Sequence, residues 1–170
     1  MNKKTIKDVD VKGKKVFVRV DYNVPFDANM NITNDTRMVR TLPTLNYLLD
    51  NGAALIIACH IGRPTEARED KFSTKHLVKH LSELLKRDVK WASDCVGAEA
   101  EKAAKDLKPG EVLLLENLRY HKERKRMIRH LPSSLHLLRM SLSTMLSVFR
   151  IVHMHRMQAF QSISRQSQAS

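Results

Sequence analysis

Three stretches of the chain carry apolar residues in runs too short for a helix and too continuous for a solvent-facing surface. KKVFVRVD, from Lys14 to Asp21, is rich in β-branched and aromatic residues and breaks at Asn23 and Pro25. AALIIAC, from Ala53 to Cys59, is apolar throughout and stops at His60, and EVLLLEN, after a Lys108, Pro109, Gly110 turn, stops at Asn117. Runs of this kind mark strands covered on both faces, as in a parallel sheet. Between them the period changes. Arg37 to Asn51 places Met38, Val39, Leu42, Leu45 and Leu49 on one helical face, opened by Asn34, Asp35 and Thr36, closed by Gly52 and kinked at Pro43. Ser73 precedes a second helical repeat of Leu77, Val78, Leu81, Leu84 and Leu85, a short VKW strand follows near Val89, and Gly97 to Leu107 reads as a third helix. Strands alternating with helices of this length predict a parallel α/β sheet flanked by helices on both faces.

The 170 residues fit one domain. The formal charge of +12 would point to nucleic acid were it spread evenly. It is not: residues 1–123 hold 22 basic against 18 acidic side chains, whereas 124–170 hold 8 basic and no acidic ones. Cys59 and Cys95 have no CxxC spacing and no histidine at metal-ligand spacing, so neither a disulfide framework nor a metal site is signalled. Cys59 reads as core packing. The start, MNKKTIKDVD, lacks the apolar run of a signal peptide, and no 18-residue apolar segment occurs. A cytoplasmic protein with no membrane partner is the expectation.

In open parallel sheets ligands bind beyond the carboxyl ends of the strands. Polar groups collect there in this chain: Asp21 and Asn23 after the first strand, His60 and Arg63 after the second, Asn117 and Arg119 after the last, with Arg37 at a helix start. A guanidinium grips phosphate or carboxylate through paired, charge-assisted bonds. One loop arginine is most often solvated surface, and one aspartate a turn former; their shared location carries the argument. His60 reads as a hydrogen-bonded structural histidine or a donor to ligand rather than a general base.

Four segments then stand in order: VRVDYNVP at 18–25, NDTR at 34–37, HIGRP at 60–64 and ENLRYHKE at 116–123. Together they resemble the successive signatures of the phosphoglycerate kinase family. The resemblance implies a two-domain enzyme that transfers phosphate between ATP and 3-phosphoglycerate in glycolysis, usually as a monomer and without nucleic acid. On this chain it implies that Asp21 and Asn23 hold the hydroxyl and carboxylate end of 3-phosphoglycerate or 1,3-bisphosphoglycerate. His60, Arg63 and Arg119 would surround its phosphate, and Arg37 would be the catalytic arginine. The family's Mg-ATP site lies in a C-terminal domain for which these 170 residues carry no sequence, and no Walker-type glycine loop occurs among the five glycines.

The composition changes near Lys122 to Arg126. Residues 124–170 contain no Gly, Asp or Glu, but nine serines and five of the eight methionines. Displacing the reading frame by one nucleotide lets codons for Ile151 to Ser170 read HRAHASNAGISKYIPAVAGF, which resembles the family's next motif. The expectation is a frameshift near Glu123, with 1–123 a partial phosphoglycerate-binding domain and 124–170 a poorly ordered, unrelated tail. The truncated chain is expected to show no turnover and to expose sheet edges, which favours partial folding or aggregation. The competing reading is a basic-tailed fragment that binds nucleic acid or anionic membrane. It draws on a stripe of Leu135, Leu138, Leu142, Met145, Leu146 and Phe149 at near-helical spacing.

Overall fold

The computed structural model describes residues 6–65 and 68–121, together with two further strand segments at 135–139 and 150–152. Strand β1 (Lys15–Arg19), strand β2 (Ala54–Ala58), strand β3 (Val89–Ala92) and strand β4 (Val112–Leu115) form a parallel core in the spatial order β3-β4-β2-β1. Every residue of β2 and of β4 is buried, as their unbroken apolar runs require of central strands.

Side chains alternate across this sheet and divide the core in two. Val16, Val18, Leu55, Ile57, Val112 and Leu114 face helix α2 (Leu42–Asp50) and helix α3 (Val78–Leu85), which contribute Leu45, Leu48, Leu81 and Leu85. Phe17, Ile56, Ala58, Leu113 and Leu115 share the opposite cluster with Ala100 of helix α4 (Ala98–Asp106). The division follows from the path of the chain. It moves from β1 to β2 and past β4 to β3 through α2 and α3, then turns back to β4 through α4. A connection of constant hand that reverses direction must cross on the other face.

Two expectations are corrected around residue 40. The single kinked helix is two: α1 (Thr36–Val39) and α2, with Pro43 in the first turn of the second, where its missing N–H costs nothing. Thr41 at the break is fully buried, donates its hydroxyl to Met38 O at 2.7 Å and shares a 2.7 Å hydrogen bond with the Tyr22 hydroxyl. The break rotates the face, so Met38 is buried while Val39 is the exposed large apolar side chain among the described residues. Elsewhere the helices lie as the sequence indicates. Ser73 accepts from Lys75 N–H at 3.2 Å and opens a short 3₁₀ turn ahead of α3. Gly97 and Leu107 flank α4.

The sheet does not stop at β1. Strand β5 (Leu135–Arg139) pairs in parallel with it, Phe17 opposite Leu137, and strand β6 (Arg150–Val152) pairs antiparallel with β5. The β1 edge of the parallel core is therefore paired. Leu135 and Leu138 lie in a strand, so the helical stripe does not begin where its spacing indicated, and its remainder falls outside the described residues. Likewise Arg150–Val152 is extended rather than unstructured, and the residues beyond it lie outside the description.

Candidate functional site

Because β1, β2 and β4 are parallel and adjacent, their carboxyl ends open on one edge of the sheet, and the three loops that leave them touch. Gly62, in the loop after β2, joins all three. Its N–H donates to Asn23 Oδ1 at 2.9 Å, and its carbonyl accepts from Arg119 Nη1 at 2.5 Å. Its φ of +56° is one that L side chains rarely adopt, and a Cβ there would lie 2.3 Å from the Phe72 ring. Glycine is thus required on two counts.

Asn117 supports the same junction from beneath. It is fully buried, donates both Nδ2 hydrogens at 2.8 Å, to Ile61 O and Phe72 O, and accepts from Arg119 N–H at 2.9 Å. Its neighbour Glu116, almost fully buried, is neutralised by no cation among the described residues. It accepts instead from Ser73 Oγ (2.7 Å), Thr74 N–H (2.8 Å), Thr74 Oγ1 (3.1 Å) and Asn117 N–H (2.6 Å). The loop after β4 is held from both sides before it presents Arg119.

The other predicted side chains surround this junction. Asp21 accepts from Asn23 N–H at 3.1 Å and, through its second oxygen, from Arg37 Nη1 at 2.5 Å, so α1 is tied to the loop after β1. About half of each side chain in that pair remains exposed, and such pairs contribute at most about 1 kcal/mol. The pair is an arrangement a ligand anion can reorganise cheaply. His60 is half-buried and makes no hydrogen bond with any described residue. Burial, then the positive charges of Arg119, Arg19 and Arg37, hold its pKa below the ordinary 6.5, against the pull of Asp21. The neutral ring can donate or accept through either nitrogen. Arg63 is exposed and unpaired among the described residues, one position past Gly62. Cys59 lies fully buried beneath, its thiol pushed up by burial and by the carboxylates of Glu116 and Asp21.

Sequence reasoning missed three features here. Arg19, the last residue of β1, acts on His60 alongside Arg37 and Arg119, and its place at a strand end was the available signal. The need for glycine at position 62 arises from Phe72, ten residues on, which no local pattern announces. Asp94 and Cys95 after β3 meet His121 after β4, their donor atoms all within 4.8 Å, although sequence spacing gave no such cluster.

The fold is an open α/β sheet whose strand-end loops gather guanidinium groups, one carboxylate and an imidazole on one edge, side chains of the type that pair with small anions. The chain belongs to the phosphoglycerate kinase family, whose sequence profile matches residues 6–167. The phosphoglycerate kinase of Desulforudis audaxviator is 51% identical over 123 residues, which cover 72% of this chain and 31% of that protein. That of Aquifex aeolicus is 52% identical over the same number of residues. Among solved structures, phosphoglycerate kinase from Pyrococcus horikoshii OT3 superimposes with a TM-score of 0.64 at 40% identity, covering 69% of this chain and 28% of that one. Phosphoglycerate kinase from Coxiella burnetii gives 0.64 at 28% identity, covering 85% and 36%. The chain thus spans about a third of the length of these relatives.

Proposed function

We propose that the strand-end edge of β1, β2 and β4 is the 3-phosphoglycerate half of a phosphoglycerate kinase site. The observation that carries the reading is the junction at Gly62, which gathers Asn23 and Arg119 into one cluster with His60, Asp21 and Arg37 around it. Arg63, Arg119 and His60 would take the phosphate, the guanidinium groups by paired N–H donation and the imidazole by one further bond. Asp21 and Asn23 would meet the hydroxyl and carboxylate end, Asp21 as acceptor and the Asn23 amide as donor. Arg37, released from Asp21, would turn to the transferring phosphoryl group, where a cation that cannot lose its proton stabilises developing negative charge. Mg-ATP is the donor that family chemistry uses, and we assign none of the described residues to holding it.

The 170 residues by themselves are expected to bind the acid without turning it over, since phosphoryl transfer needs both substrates held in line. We read the protein as cytoplasmic, with small acids as its partners. Residues 1–123 form the phosphoglycerate-binding unit in this reading, and 124–170 derive from a displaced frame. Calorimetric titration of the chain with 3-phosphoglycerate, beside glycerate and inorganic phosphate, tests the site. Binding should be tightest for 3-phosphoglycerate and weakened about tenfold or more in Arg63→Ala. Equal affinity for all three anions would reject it.

A further inference from the structure

Asp94, Cys95 and His121 bring one carboxylate, one thiol and one imidazole within 4.8 Å, a donor set that in isolation reads as a cation site. The bonding around Asp94 argues otherwise. Its Oδ1 accepts from His121 Nε2 at 2.7 Å and from the N–H groups of Cys95 and Val96 at 2.6 and 3.3 Å. Its Oδ2 accepts from Arg68 Nη2, and the same guanidinium donates to Ser93 O at 3.0 Å. Both carboxylate oxygens are taken, and a fixed positive charge stands where a cation would have to approach. The Cys95 thiol, pushed up to about 12 by burial and by Asp94, completes no ligand set.

What this carboxylate joins is more telling. Arg68 lies on the segment that leaves β2 and carries Arg63. His121 closes the segment that leaves β4 and carries Arg119. Asp94, after β3, holds one with each oxygen. The segment 119–121 makes three successive ties to its surroundings: Arg119 to Gly62 O, Tyr120 Oη to Glu69 O at 2.6 Å, and His121 to Asp94. Two of them end on the β2 loop, and the third reaches that loop through Asp94 and Arg68. Burial raises the Asp94 carboxyl, yet the bonds from His121, Cys95 N–H and Arg68 outweigh this and hold it below its ordinary value, as for an anion stabilised where it stands.

We propose that Asp94 is a positioning residue for the phosphate end of the site: with Arg68 and His121 it clamps the loop that carries Arg63 against the loop that carries Arg119. The inference rests on the functional reading above, but its mechanical part does not need the ligand. Asp94→Asn keeps the Oδ1 acceptor that serves Cys95 N–H, Val96 N–H and His121 but removes the charge and puts an amide donor where Arg68 now donates, so it opens the Arg68 side of the clamp without deleting the turn.

The experiment is hydrogen exchange on the 170-residue chain and its Asp94→Asn and Arg68→Gln variants, with 3-phosphoglycerate titrated into each. We expect faster exchange at Gly62 and at Leu118 to His121, unchanged exchange in β1 and β2, and affinity for 3-phosphoglycerate reduced roughly three- to tenfold, the order expected of a ligand group displaced by a fraction of an ångström. Unchanged exchange at 118–121 would overturn the clamp. So would exchange that rises equally throughout β2 and β4, since that marks a purely structural residue. Should the wild-type chain fail to bind 3-phosphoglycerate, the functional reading falls, and the exchange pattern alone decides whether the clamp stands.

Discussion

Arg119 Nη1 donates to the carbonyl of Gly62 at 2.5 Å, across 57 residues of chain, and so fixes the arginine after β4 against the loop after β2. The same peptide segment that receives Arg119 also gives its N–H to Asn23. Gly62→Ala therefore disturbs three loops at once. Its Cβ would meet Phe72 at 2.3 Å from a backbone at φ +56°. We expect a loss of about 2 to 4 kcal/mol of stability, from backbone strain together with overpacking. Gly110→Ala, also at positive φ but with its nearest neighbour at 3.7 Å, should cost only the backbone share, about 1 kcal/mol. Urea denaturation of the two variants compares them directly.

Arg63→Ala and Arg37→Ala should separate binding from stability. Arg63 is exposed and makes no bond to a described residue, so its removal should leave the urea midpoint within about 0.5 kcal/mol of the parent. Affinity for 3-phosphoglycerate should fall by about tenfold or more, the value of one charge-assisted pair. Removing Arg37 frees the Asp21 carboxylate it now holds and leaves that charge to repel the ligand. Equal affinity of Arg37→Ala and parent would count against its place in the site.

The His60 ring is held below 6.5 in the folded chain. The unfolded chain therefore binds the proton more tightly, and this residue costs nothing above pH 6.5 but destabilises progressively as pH falls below it. His60→Gln should flatten that part of the stability profile. Anion binding works in the opposite direction: a phosphate beside the ring favours its charged form, so binding should raise the ring's lowered pKa and be accompanied by proton uptake at His60 as pH falls below neutrality. Calorimetry in two buffers of different ionisation enthalpy measures the uptake.

Tyr22 is fully buried between Asp21 and Asn23, and its hydroxyl meets Thr41 at the break between α1 and α2. Burial pushes the phenol well up, so it stays neutral and donates to Thr41 Oγ1. Tyr22→Phe should cost about 1 to 2 kcal/mol, because Thr41 still has Met38 O to bond while losing its second partner. Thr41→Val removes both bonds and should cost more. Thermal denaturation ranks the two.

The displaced-frame account of residues 124–170 is checked by sequencing the encoding DNA from codon 115 to several hundred nucleotides past codon 170. An alternative frame that continues into a second domain is the expected result. Its absence would make the tail a genuine extension. Salt-sensitive binding to DNA or anionic vesicles, lost on deleting 124–170, would then promote the basic-tail reading.

The strands were legible because β2 and β4 are buried on both faces, which leaves an unbroken apolar signature that needs no partner to interpret. The amphipathic α3 was legible for the same kind of reason. The division at Thr41 was not: Pro43 signals an interruption but does not say whether a helix bends or restarts, and the answer lay in Tyr22, nineteen residues earlier. The strand-end rule located Asp21, Asn23, His60, Arg63 and Arg119 on one edge because parallel pairing leaves no other arrangement. It could not give the supporting contacts. Glu116 with Thr74, Gly62 with Phe72 and Asp94 with Arg68 and His121 pair residues brought together only by the finished sheet. The β5 and β6 pairings were invisible for a related reason, since strand pairing depends on an available edge, here that of β1.

The most direct test of the central claim is a two-dimensional amide NMR titration of the 170-residue chain with 3-phosphoglycerate. Saturable shifts should be concentrated at Asn23, Arg37, His60, Gly62, Arg63 and Arg119, with the β3 and α4 amides still, and Arg63→Ala should raise the midpoint of the titration about tenfold or more. Shifts scattered over the surface, or an unchanged midpoint without Arg63, would contradict that claim.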